Sequence, residues 1–426
     1  MAIYSMHQLG QSTLGLCAMP GVESASVGLW FRVGSRHEPE ILNGAAHFIE
    51  HMLFKGTRKR NALDISQSVE SVGGDLNAFT SEEMTCYFAR LGSDHLEMAL
   101  DVLFDMLWHS TFIKEEVERE RGVIQEEIRM YEDQPHVHVG ELLNSLLWKG
   151  NSLSRPIAGS VQTVENFTKQ ALVKFWKNHY IPQNLVVTVS GCFEEHRLQK
   201  LLQKHTNIER QGNRADSFKL KLRSYKTVQC LAEPKEIQQM NVSMGMRGYK
   251  RTDPRRFAER VLSIILGGNM SSRLFQTVRE KHGLAYSVHT SASHFHDTGA
   301  FYIQAGLEAV NIEKAFKVIA KELSKIKNTR VSSAELKRAK DYIIGQLKLG
   351  LESTSNQMMW MGESIIGREE ILDPHEVIDE VNSVTAEAVR GVAQDLFQPG
   401  KTFVACIGPE VTQSILKKWL APFNQL

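Results

Sequence analysis

The sequence has few cysteines and almost no net charge. Its five cysteines are scattered without a C-x-x-C pair, at Cys17, Cys86, Cys192, Cys230 and Cys406. This pattern argues against a disulfide framework and against a cysteine-based zinc site, and it fits a reducing compartment. Lys and Arg number 50 and Asp and Glu 49, for a net charge of +1. A chain with this balance gives no reason to expect binding to nucleic acid or to an anionic membrane.

Long apolar runs are also missing. No stretch of about 18 apolar residues occurs, so we expect no transmembrane helix. The first ten residues lack the basic segment followed by an apolar segment that marks a secretory signal peptide. These two observations predict a cytoplasmic protein that does not associate with membranes.

What the chain does have is an internal repeat. Val27–Phe31 aligns with Val242–Met246, and Arg36–Pro39 aligns with Arg251–Pro254. Such a duplication indicates two domains of one fold. The order of apparent strands and long helices in each half predicts an α/β or α+β class, with helices covering a sheet.

A polar and basic stretch separates the two copies. Residues 212–224 read as an interdomain linker, because they combine glycine, asparagine and charged residues without apolar periodicity. We therefore predict an N-terminal domain at 1–211 and a homologous C-terminal domain at 225–426.

The most chemically specific stretch is the pentapeptide His47-Phe48-Ile49-Glu50-His51. On a helix its two histidines project from one face, one turn apart, and Glu50 shares that face. Two imidazoles so placed can hold one Zn²⁺, and the carboxylate can take a proton from a metal-bound water. The alternative is an amphipathic helix whose histidines only cap or pack. Asn43 is the predicted N-cap of this helix.

The repeat offers an internal comparison for this helix. The offset that joins Val27 to Val242 places three apolar residues, Leu262, Ile265 and Leu266, opposite the two histidines and the glutamate. The second copy therefore keeps a helix without the polar trio. This favours chemistry added to one of two similar scaffolds over a packing role for the histidines.

A zinc site needs a further ligand, and an acidic helix is the best source. Residues 114–132 contain four candidates, Glu118, Glu120, Glu126 and Glu127. Glu120 and Glu127 are two turns apart and share a face, so one could bind metal while the other orients a ligand. Spacing alone does not choose among the four.

Several separated motifs together resemble the pitrilysin-type (M16) zinc peptidases, and most closely the bacterial relatives of the mitochondrial processing peptidase β-subunit. The motifs that carry this resemblance are His47–Thr57, Gly73–Thr80, Glu118–Arg121, Met130–Asp133, Leu266–Phe275 and Arg279–Ser287. They occur in one order and span essentially the whole chain. The resemblance implies two homologous domains of the processing-peptidase fold, each a mainly antiparallel sheet covered by helices.

The resemblance also implies a set of zinc-site residues. His47, His51 and Glu127 would bind one Zn²⁺ per chain, and Glu50 would be the catalytic base that activates the zinc-bound water. Glu120 matches an outer glutamate that supports the site.

Two further groups are implied to bind substrate. Asn77, Ala78 and Phe79 match an edge strand along which an extended peptide lies, held mainly through its backbone. Arg279 and Tyr286 match a pair in the C-terminal domain, which lacks the zinc set, that clamps the substrate backbone.

These implications predict a zinc-dependent endopeptidase that hydrolyses peptide bonds of oligopeptides or unfolded segments. Because one chain carries both the zinc set and the clamp, we expect a homodimer, with a heterodimer with a paralogous chain as the other arrangement. The rival hypothesis is a non-catalytic peptide-binding or assembly subunit of the same fold. A third is a structural metal-binding module without turnover.

Overall fold

The computed structural model describes residues 3–213 and 220–426. The middle of the predicted linker at 212–224 therefore lies outside the described residues.

Strands and helices alternate along both halves of the chain. The strands are β1 (Ile3–Leu9), β2 (Ser12–Ala18), β3 (Ser24–Phe31), β4 (Asp75–Thr80), β5 (Thr85–Gly92), β6 (Leu185–Gly191), β7 (Gln229–Pro234), β8 (Gln239–Gly248), β9 (Ala285–His294), β10 (Gly299–Glu308) and β11 (Thr402–Gly408). The α-helices are α1 (Ala45–Leu53), α2 (Ala62–Glu70), α3 (Leu96–His109), α4 (Lys114–Glu132), α5 (Pro135–Leu147), α6 (Val161–Glu165), α7 (Lys169–His179), α8 (Glu195–Thr206), α9 (Arg256–Gly267), α10 (Ile312–Asn328), α11 (Ser333–Gly350), α12 (Thr354–Arg368), α13 (Pro374–Ser383), α14 (Ala386–Leu396) and α15 (Gln413–Trp419). A π-helix spans Phe275–Lys281.

The first sheet has six strands in the order β1-β2-β6-β3-β5-β4. Four of its five strand pairs are antiparallel, and β2 with β6 is parallel. The inner strand β6 reads LVVTVSG and is buried along its whole length. Such a near-continuous apolar run is what a strand covered on both faces requires. The predicted mainly antiparallel sheet is confirmed.

Helices cover both faces of this sheet. On one face, α1, α3 and α7 contribute to a core that includes Phe48. On the other face, Trp30 packs against Met358 of α12 and donates a 2.8 Å hydrogen bond to Thr188 Oγ1. A Cβ atom at Gly362 of α12 would lie 2.0 Å from the Trp30 ring, so glycine allows this helix to approach the indole closely.

The second sheet has five strands in the order β7-β11-β8-β10-β9. It repeats the order β2-β6-β3-β5-β4 of the first sheet, including one parallel pair, β7 with β11. Helices α9, α10 and α14 pack into a core on one face. On the other face, Leu143 and Leu147 of α5 pack against Phe403 and Ala405. The prediction of two homologous α/β domains is confirmed.

The described chain forms two compact units, and each takes one segment from the opposite half. The first unit includes Lys348–Leu372, which contains α12, and the second includes Met130–Ser154, which contains α5. The units thus differ from the predicted ranges 1–211 and 225–426 by these two segments. The physical reason is that each exchanged helix buries its apolar face on the sheet of the other half.

None of the described helices combines the length and the apolar character needed to cross a membrane.

Candidate metal centre

Helix α1 presents the predicted trio on a face that the core leaves open. Six of its nine residues are apolar and buried: Ala45, Ala46, Phe48, Ile49, Met52 and Leu53. His47, Glu50 and His51 occupy the remaining positions and are half-buried. Because the apolar side chains fix the rotation of the helix, the two imidazoles and the carboxylate must face the same side.

The start of α1 is held by a residue that sequence reasoning missed. Glu38 is buried, and its carboxylate accepts hydrogen bonds from the backbone N–H groups of Gly44 at 2.8 Å and Ala46 at 2.7 Å. The predicted N-cap Asn43 is wrong, because the cap is Gly44, with a φ of 100°, and the Asn43 side chain donates to Glu38 instead. A carboxylate at this position satisfies exposed amides and interacts favourably with the helix dipole.

The four candidate glutamates of the acidic helix α4 separate into two pairs. Glu118 and Glu126 are 57% and 75% exposed, and each pairs with an arginine three residues further along the same helix. Glu120 and Glu127 instead face α1, and Glu120 is buried. The seven-residue spacing brings both carboxylates to one side of α4.

Potential metal-binding atoms of His47, His51 and Glu127 lie within 4.8 Å of one another. Glu127 Oε2 is 3.8 Å from His47 Nε2 and 3.5 Å from His51 Nε2. Burial, together with the neighbouring His51, lowers the pKa of His47 to about 4, so this imidazole is neutral at pH 7. Neutral imidazole is the form that binds metals, and two imidazoles with one carboxylate match a zinc donor set with a fourth position open.

A buried carboxylate orients His51. Glu120 Oε2 is 3.2 Å from His51 Nδ1, and Lys55 Nζ is 2.7 Å from Glu120 Oε1. Burial alone would raise the pKa of Glu120, but the hydrogen bonds from His51 and Lys55 outweigh it and lower the pKa. An ionised Glu120 accepts the Nδ1 proton of His51, which leaves the Nε2 lone pair on the side of Glu127. Glu120 thus contacts the predicted ligand His51, its supporting role stays a prediction, and Lys55 is a further partner of Glu120.

Glu50 lies beside the two histidines with one oxygen already engaged. Thr80 Oγ1 donates a 2.5 Å hydrogen bond to Glu50 Oε2. Burial raises the pKa of Glu50 above its ordinary value, and the hydrogen bond from Thr80 acts in the opposite direction.

Asn77, Ala78 and Phe79 lie on β4, the last strand of the first sheet. Asn77 is exposed, whereas Phe79 packs edge-on against the Trp30 ring at 5.7 Å. Strand β4 contacts α1, and both belong to the first unit.

Arg279 and Tyr286 belong to the second unit. Tyr286 is the second residue of β9 and is 74% exposed. The Arg279 guanidinium lies 5.7 Å from the Tyr286 ring and 4.8 Å from the ring of Phe275. The two predicted clamp residues are therefore neighbours.

The predicted alignment of α9 with α1 is wrong by two residues. Leu262, Ile265 and Leu266 are buried in the core of their own unit. They therefore match the buried residues of α1, not the half-buried trio.

Shifting the alignment by two residues superimposes the buried positions of the two helices. Arg260, Ser263 and Ile264 then stand opposite His47, Glu50 and His51. The corrected comparison still leaves the second helix without an imidazole or a carboxylate at those three positions. The second copy therefore still has the helix without the polar trio, as expected, but the residues that replace the trio are different ones.

Replacing Glu38 with Gln is expected to loosen the start of α1. The change removes one accepting oxygen and points an NH₂ group at a backbone N–H, which costs about 1–3 kcal/mol. Burial raises the pKa of Glu38 to about 7, so the comparison is best made at pH 8, where the carboxylate is ionised. We expect a lower Tm and a Zn²⁺ affinity about 10-fold weaker, measured by competition with a chromophoric chelator.

Glu40→Gln, an exposed neighbour, is the control. A Glu38→Gln variant indistinguishable from this control would contradict the anchoring role.

Comparison with known proteins gives one consistent family. Residues 17–161 match the profile described as insulinase, peptidase family M16, and residues 166–343 match the profile described as the peptidase M16 inactive domain. An uncharacterized zinc protease of Streptomyces coelicolor is 40% identical over 398 residues, which cover 92% of this chain and 86% of that protein. The uncharacterized zinc protease YmxG of Bacillus subtilis is 38% identical over 380 residues, or 89% of this chain and 91% of that protein.

The fold agrees with these matches. The crystal structure of a protease from Helicobacter pylori superimposes with a TM-score of 0.91 at 21% identity, covering 96% of this chain and all of that one. The profiles together cover more than half of the sequence, and the relatives align along nearly its full length. This chain belongs to the M16 peptidase family.

Proposed function

We propose that this protein is a zinc-dependent endopeptidase that hydrolyses peptide bonds of oligopeptides or unfolded segments. The observation that carries the proposal is the grouping of His47, His51 and Glu127 within 4.8 Å, with the carboxylate of Glu50 on the same face of α1. Relatives that are named zinc proteases support a peptidase-type function in general.

His47, His51 and Glu127 would hold one Zn²⁺ per chain. When bound, the metal supplies Lewis acidity that polarises the scissile carbonyl and makes a water easier to deprotonate. The chain's own contribution is the base. Glu50 would accept a proton from the attacking water and later donate it to the leaving amine, and its burial-raised pKa suits a group that must do both.

The substrate would bind as an extra strand beside β4. Asn77, Ala78 and Phe79 lie at the end of the sheet order, where backbone N–H and C=O groups can pair with an extended peptide. Backbone pairing holds a peptide largely regardless of its sequence. This mode of binding suits unfolded or short substrates.

Arg279 and Tyr286 would bind the backbone of the substrate. Support comes from their chemistry, since a guanidinium and an exposed phenol beside each other can donate hydrogen bonds to peptide carbonyls. Homodimer formation and a cytoplasmic location stay predictions.

The Glu50→Gln variant tests the proposed reaction. It keeps the shape of the side chain and removes the base, so kcat/KM for a mixture of internally quenched peptides is expected to fall at least about 100-fold. Zinc content, measured by inductively coupled plasma mass spectrometry, is expected to stay near one per chain. Glu126→Gln changes an exposed glutamate of α4 and is the control.

Two results would count against the proposal. Full activity in Glu50→Gln would remove Glu50 from the mechanism. Wild-type protein that binds zinc yet cleaves nothing in a broad peptide library would favour the rival, a non-catalytic peptide-binding or assembly subunit.

An Arg279→Ala/Tyr286→Phe double variant tests the clamp. Losing both donors is expected to lower kcat/KM about 10- to 100-fold without changing zinc content. Tyr342→Phe, at a partly exposed tyrosine of α11, is the matched control. Unchanged kcat and KM in the double variant would exclude a role in substrate binding.

A further inference from the structure

Among the residues that the structure describes, Thr80 lies outside the predicted zinc-site set and forms a hydrogen bond with the proposed base. It is the last residue of β4, and its hydroxyl donates to Glu50 Oε2 at 2.5 Å. Alternation along the strand puts Thr80 on the same face as Leu76 and Ala78, which pack against the core that includes α1. The contact with Glu50 thus follows from the register of the strand.

The surroundings of Thr80 direct its proton towards Glu50. Thr80 pairs with Thr85 across the β4–β5 hairpin, and the two hydroxyl oxygens are 3.5 Å apart. The Thr85 hydroxyl donates to the Val33 carbonyl at 2.9 Å, so it offers no proton to Thr80. An ionised Glu50 carboxylate can only accept, and at 2.5 Å it is the much closer acceptor for the Thr80 proton. The β-branched Thr80 side chain is also restricted in χ1, so its Oγ1 has few alternative positions.

The second unit shows that the fold does not require this hydroxyl. Thr80 and Ala292 occupy equivalent positions in the two sheets. Each residue is reached from an equivalent position, on β3 or on β8, by moving across the paired residues of the neighbouring strands. The helix position of Glu50 is Ser263 in the second unit. The copy that lacks the zinc set therefore has no carboxylate here and no hydroxyl at the Thr80 position, and its Ser263 hydroxyl instead lies 3.2 Å from that of Thr290, two residues from Ala292 on the same strand.

We propose that Thr80 is a positioning residue for Glu50, an inference that rests on the proposed function. Its hydrogen bond fixes Oε2, so that Oε1 is the atom that exchanges protons. Oε1 would accept the proton of the attacking water as the water oxygen bonds to the carbonyl carbon. The same proton would pass to the amide nitrogen as the C–N bond breaks, which returns Glu50 to its starting state.

The test compares Thr80→Val with Thr80→Ser in the full-length, zinc-loaded protein. Valine keeps the shape and removes the donor, so kcat is expected to fall about 10- to 100-fold with little change in KM. Serine restores the donor and is expected to recover most of the loss. Thr13→Val makes the same substitution on β2 of the same sheet, with three strands between it and β4, and is expected to keep wild-type kcat.

Zinc content, Tm and a double variant separate the possible outcomes. In a Glu50→Gln background, Thr80→Val is expected to cause no further loss, because Thr80 acts only through Glu50. Wild-type kcat in Thr80→Val, with Glu50→Gln inactive, would overturn this inference and leave the proposed function standing. A rise in KM alone would make Thr80 a substrate contact, and a parallel loss of zinc would make it a structural residue; either result would overturn the positioning role.

Discussion

The carboxylate of Glu120 joins the two helices on which the site depends. It is buried between His51 of α1 and Lys55, which follows the end of that helix, so its charge is balanced by a hydrogen bond and an ion pair. A buried carboxylate without such partners would be costly, which makes this contact a strong constraint on how α4 lies against α1. Because Glu127 follows two turns later on the same face, fixing Glu120 also brings Glu127 to the histidines.

Much of this arrangement can be predicted from the sequence, since it follows from helical periodicity. The spacing of His47, Glu50 and His51 places them on one face, and the apolar residues between them turn that face away from the core. The choice of Glu127 among four glutamates is different, because periodicity allows several. It came from the resemblance to a family, and the structure supplies a physical reason, because Glu118 and Glu126 are exposed and each forms an ion pair with an arginine of its own helix.

The remaining features depend on tertiary contacts that no local pattern encodes. Glu38 anchors α1 across a loop, and Thr80 meets Glu50 only once β4 has joined the sheet. Apolar periodicity predicts that α5 and α12 bury a face, but two similar sheets are available and the pattern does not specify which one each helix covers. The repeat alignment failed at α9 for a related reason, because the connection before the helix differs in length between the copies.

The central claim is that His47, His51 and Glu127 hold one metal ion. Anomalous diffraction measured on either side of the zinc absorption edge, from crystals of protein purified without added chelator, tests it most directly. The account predicts one strong zinc peak per chain, bonded to the Nε2 atoms of both histidines and to the Glu127 carboxylate. A zinc peak elsewhere, or no peak at this position in zinc-loaded protein, would contradict it.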